Sequence, residues 1–132
     1  MNAGNAVCKK VYQLIKTRNI PAVVMPAGLR GVHHLTSMAG ADMTFSLQAR
    51  IQKMAIAEDP ERICHIDEEI PETVIQQLYR HPEFVRAYEE GALKPEAFLT
   101  FGVTQKTLSQ FLWTGWVPLE TYQKEPDTGR WF

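Results

Sequence analysis

Two apolar runs constrain this chain more than anything else in it. They are Ile20-Pro21-Ala22-Val23-Val24-Met25 and Asp42-Met43-Thr44-Phe45-Ser46-Leu47. Each reads as a short strand bounded by turn residues. The gap between them has room for one short helix, so the pattern predicts a β-α-β unit with parallel strands. The unbroken Val-Val-Met character of the first run predicts burial on both faces. Two parallel strands do not make a stable sheet in isolation. A closed (β/α) barrel takes about 250 residues, and this chain has 132. The expected fold class is therefore α/β: an incomplete barrel-like fragment, with two short parallel strands and a predominantly helical remainder.

The flanking segments have helical periods. Val7, Val11, Leu14 and Ile15 recur at helical spacing between Asn5 and Arg18, with Lys9, Lys10, Lys16 and Arg18 off that face. Asn5 is a cap candidate and Asn19 a stop. Gly31 opens a short helix that Gly40 ends. A third helix carries Leu47, Ile51, Met54 and Ala55 and stops before Pro60. Beyond Pro60 the chain is first irregular and acidic, then helical, with Pro71, Pro82 and Pro95 placed as helix starts. This gives an α-β-α-β-α segment over 1–59, a helical tail over 60–115 and an extended end over 116–132.

Composition narrows the function. Lys and Arg number 14 against 15 Asp and Glu, for a formal net charge of −1. A nucleic-acid binder held by bulk charge usually carries a basic excess, so no nucleic-acid partner is expected. No apolar stretch approaches the roughly 20 residues of a membrane helix, and residues 1–5 lack a signal pattern. Cys8 and Cys64 are far apart and outside any CxxC arrangement, which fits reduced thiols in a cytoplasmic protein.

The turn after the first run, Pro26-Ala27-Gly28-Leu29-Arg30-Gly31, carries the most pointed chemistry. In β/α units ligands bind at the carboxyl ends of strands. A guanidinium there, between two glycines that let backbone approach closely, suits an anion such as a sugar phosphate. Arg30, Gly28 and Gly31 are the expected phosphate-binding residues, and His33, Thr44 and Ser46 possible ligand contacts. The plainer alternative for Arg30 is solvation, or pairing with a carboxylate such as Asp42. His33 and His34 are adjacent and so point about 100° apart on a helix, which does not suit a shared metal. Cys64, His65 and Asp67 match no standard ligand spacing. No metal and no cofactor is expected.

The stretch from Val7 through Val24-Met25-Pro26-Ala27-Gly28-Leu29-Arg30, then Leu35 to Gly40-Ala41-Asp42-Met43-Thr44-Phe45-Ser46, resembles the last two β/α units of the transaldolase family. Phe98 to Leu112 looks like that family's C-terminal helix. Transaldolases are (β/α)8 barrels of carbohydrate metabolism, transferases of the pentose phosphate pathway that work through a Schiff base on lysine. The resemblance implies that Arg30 matches the family's phosphate-binding arginine. The family serine two residues earlier is Gly28 here, the glycine after its methionine is Pro26, and the proline after the last strand is Leu47. No lysine lies between Lys16 and Lys53, and the family's Schiff-base lysine belongs to a strand that this chain does not contain. No catalytic residue carries over, and the chain alone is expected to be inactive.

Three functions stay open. One is a C-terminal transaldolase-like fragment or truncated homologue that retains the anion-binding arginine but lacks the Schiff-base lysine, with a missing N-terminal barrel portion as its expected partner. Another is a non-catalytic module binding phosphorylated sugars. The third is an interaction protein that forms a homo-oligomer through open strand edges. Helical spacing predicts packing for Trp113, while Trp116 and Trp131 read as contacts for a partner.

Overall fold

The computed structural model describes residues 2–122. These fall into two units that divide between Ala92 and Leu93. Trp131 and most of the expected C-terminal extension lie outside the described residues. Among the described residues the secondary structure is helical and no strand is formed. The expected α/β class, with its barrel-like strand pair, is thereby corrected.

In the first unit the helices are α1 (Ala3–Thr17), α2 (Val32–Thr36), α3 (Ala49–Glu58), α4 (Glu72–Leu78) and α5 (Pro82–Tyr88). Local chemistry sets their ends. At the close of α1, Asn19 takes a left-handed φ of 51°. The Ile20 N–H reaches Ile15 O and the Asn19 N–H reaches Lys16 O. That paired closure is the Schellman arrangement, with asparagine in the place glycine usually takes. Asp59 ends α3 with φ 39°. Pro82 sits at the start of α5, where its missing N–H leaves nothing unsatisfied.

Two apolar clusters pack on α1. Ala6, Ile75 and Phe84 form one, with Val7, Ile70, Leu78 and Tyr88 around them. Tyr12, Met38 and Ile66 form the other, with Cys8, Val24, Met43 and Phe45. The buried face of α1 is therefore Asn5, Ala6, Lys9 and Tyr12, not the expected Val7-Val11-Leu14-Ile15 stripe, of which Val11 is exposed. Two polar groups explain the rotation. Lys9 Nζ donates to His65 O at 2.7 Å and to Glu68 O at 2.6 Å. Tyr12 Oη accepts the Asp42 N–H at 3.1 Å. Each side chain buries its stem and satisfies its polar tip on backbone. An expected solvent-facing lysine, Lys9, is in fact a buried tie between α1 and the 65–68 turn.

The two apolar runs do lie side by side and run in the same sense. Thr44 N–H bonds Val24 O at 3.1 Å and Ser46 N–H bonds Pro26 O at 2.9 Å. A parallel ladder needs return bonds from the opposite run. The first would come from the N–H of residue 26, which is proline and has none. Past it, Gly28 turns the chain away with φ 67°. Both runs also open on tight turns, Ala22 N–H to Ile20 O and Met43 N–H to Ala41 O. Nor is the first run buried on both faces, since Val23 and Met25 are 64% and 62% exposed.

The second unit has a 3-10 turn (Pro95–Thr100), then α6 (Gly102–Phe111), a π segment (Leu112–Trp116) and α7 (Val117–Glu120). The last three are contiguous and make one helix over 102–120. Pro118 cannot donate back to the preceding turn, and Thr114 Oγ1 bonds Gln110 O at 2.6 Å. Proline, glycine and back-bonding threonine are established causes of such widening. Among the described residues of this unit Phe101 is the buried one. Trp113, expected to pack, is 65% exposed.

Candidate functional site

A cavity of about 240 Å³ opens between the first turns of α1 and the turn that follows the first apolar run. Gly4, Asn5 and Cys8 form one wall and Pro26 to Arg30 the other, with His34 and Met38 between them. Gly28 holds the turn in a left-handed conformation that most residues adopt only with strain. Leu29 is buried and anchors the turn, while Arg30 beside it is exposed. The Arg30 N–H donates to His34 Nδ1 at 3.0 Å. That i,i+4 bond ties the turn to α2, so His34 fixes where the arginine emerges.

The electrostatics of this wall are one-sided. Among the described residues no Asp or Glu lines it. The first turn of α1 carries no acidic residue, and the leading N–H groups of a helix have no acceptor within it. Among the described residues no carboxylate pairs with Arg30, so the alternative partner Asp42 does not claim it. Cys8 lies on the same wall, and burial pushes its thiol pKa up, which keeps it protonated and unreactive at neutral pH. Among the described residues no lysine lines the cavity, so none of them supplies an amine there to form an imine.

The other expected contacts are placed differently. Gly31 is buried with φ −174°, an extended conformation open to any residue. An added Cβ there would lie 2.8 Å from His33 Nδ1, a contact that the exposed His33 ring would have to shift to relieve. His33 is exposed, lies against Gly31 and has its ring centre 4.1 Å from that of His34, the two planes tilted by 40°. Thr44 and Ser46 are exposed and serve the second run through their backbone N–H groups. The structure thus gathers Gly28 and Arg30 at the cavity and leaves Gly31, His33, Thr44 and Ser46 off its walls. His34, Asn5 and Cys8 are the additions. The bond that places His34 goes to a backbone N–H, which no pairing of side-chain types in the sequence reports.

Larger clefts exist and suit an anion less. One of about 600 Å³, bounded by Leu35, Ala39, Ile56 and Ile63, is mainly apolar, and its Arg62 already lies 3.7 Å from Asp59. Another, of about 500 Å³, is ringed by Asp67, Glu68, Glu69 and Glu72 around the tied Lys9. Among the described residues no group of three His, Cys, Asp or Glu could hold a metal ion. No helix among them is long and apolar enough to cross a membrane. No family model, no curated protein and no solved structure matches the chain, so the likeness to transaldolases rests on the short motifs alone.

Proposed function

We propose that the first unit is a non-catalytic module that binds a small phosphorylated ligand of the sugar-phosphate class between α1 and the Arg30 turn. The observation that carries this is an Arg30 guanidinium that no carboxylate of the described residues pairs with, on a cavity that none of their acidic side chains lines and that also receives the start of a 15-residue helix. A phosphoryl group gains a charge-assisted contact from Arg30 and favourable field from the helix start. The volume is below the roughly 300–1,000 Å³ of drug-sized sites, which suits a phosphoryl group on a short carbon chain. The resemblance contributes only its anion-binding arginine to this reading. A reducing, cytoplasmic setting goes with it, given two free cysteines.

Calorimetry with a ketose phosphate tests it. Binding should be weak, should weaken further with added salt, and should vanish for the unphosphorylated sugar. Arg30→Ala should lower affinity at least tenfold, since a hydrogen bond to a charged group contributes about 1.5–3 kcal/mol. Equal affinity in wild type and variant refutes the site. Borohydride should trap no covalent adduct; a lysine adduct would refute the non-catalytic reading.

A further inference from the structure

We propose that the helix over 102–120 is a homodimer interface, in which the apolar stripe of one copy packs antiparallel against the same stripe of a second copy. Leu108, Phe111, Leu112, Trp116 and Leu119 follow helical spacing along one side. They are 60%, 73%, 48%, 58% and 69% exposed. Together they leave roughly 600 Å² of apolar surface in water, taking about 150–250 Å² for each aromatic side chain. That is the upper end of what a typical monomer shows in one patch, about 300–600 Å². It approaches the roughly 800 Å² that each partner buries in a standard interface.

The stripe is also complementary to itself, which a two-fold interface requires. Place the two-fold axis level with the midpoint between Trp113 and Thr114. Leu108 then comes level with Leu119 of the other copy, and Phe111 with Trp116. Leu112 comes level with Gly115, where the space a Cβ would fill is open. So the one large residue without a large counterpart meets a notch. The charges agree with this register. Glu120, held by the Trp116 Nε1–H at 2.7 Å, comes level with Thr107 beside Lys106, so no like charges face each other. Antiparallel helices also oppose their dipoles.

Charge argues against a lipid surface as the occupant. Helices that lie on membranes carry Lys and Arg along the polar face. Here the side away from the stripe is Val103, Lys106, Thr107, Ser109, Gln110, Trp113 and Thr114, with a single basic residue.

Sedimentation velocity of the full 132-residue chain across the micromolar range is the test. The wild type should sediment at twice the mass of one chain. Phe111→Lys and Trp116→Glu, each alone, should weaken the dimer by roughly thirtyfold or more. Mixed together they should restore it, because one contact then pairs opposite charges and the other regains its Phe–Trp match. Trp113→Glu, outside the stripe by helical spacing, should leave the dimer intact, and so should Arg30→Ala. A monomeric wild type overturns the proposal, as does a mixture that stays monomeric. If a monomeric wild type cosediments with phosphatidylcholine vesicles, lipid is the occupant and the proposal is again overturned.

Discussion

Single residues carry more of this structure than their types suggest. Lys9 is the leading case: a lysine on a helix of 15 residues, buried because two backbone carbonyls accept its protons. Burial pulls its pKa down, with Glu68 and Asp67 acting in the opposite direction. Replacing it with methionine keeps the stem and strands His65 O and Glu68 O. Lys9→Met should cost about 2 kcal/mol in urea denaturation, the scale of hydrogen bonds to a charged group, and should speed amide exchange in the 65–68 turn. A loss below a few tenths of a kcal/mol would mean that water takes over those carbonyls without penalty. Gly40 is a second case. With φ 87°, and with Cys64 Sγ 2.1 Å from where its Cβ would stand, it is held by both conformation and space.

At the scale of elements, α4 and α5 are joined by aromatic edges and a hydrogen bond. Tyr79 meets Phe84 and Tyr88 edge-on, and those two stack at 4.9 Å. The Tyr79 hydroxyl donates to Glu89. That bond, more than partial burial, pushes the Tyr79 pKa up to about 12. The folded state therefore favours the protonated phenol. Its contribution is complete below the ordinary tyrosine value near 10 and is lost as pH rises through about 12. Ultraviolet titration should find one tyrosine ionising late, and Glu89→Gln should bring it back toward the others. A profile unchanged by that substitution would remove Glu89 as the cause. The helices of this region were legible in the sequence because Pro71 and Pro82 mark their starts and Val74, Ile75, Leu78, Phe84 and Tyr88 keep the period. The runs at 20–25 and 42–47 misled because composition reports strand preference, whereas a ladder depends on which N–H groups exist and where the backbone turns. Arg30 stood out from its neighbours in the turn. His34 did not, because its contribution is one bond to a backbone N–H.

For the whole molecule, the two units set the expectation. The two apolar clusters on α1 and the Arg18–Glu90 pair, bidentate at 2.5 and 2.8 Å, all fall before residue 93. Residues 1–92 expressed alone should therefore unfold in one cooperative transition and keep whatever phosphate binding the full chain shows. A truncated chain with no transition would place part of its stability beyond Ala92. The pair of bonds from Thr44 and Ser46 has a consequence of a different kind. Val23 and Met25 form the most exposed apolar part of the first unit's irregular chain, and an extended apolar run with free backbone groups is a template for fibril growth. Pro26 ends that run with a residue unable to donate. The donor that Pro26 withholds from the second run it withholds equally from any other strand, the device by which a proline at the end of an apolar run guards against intermolecular pairing.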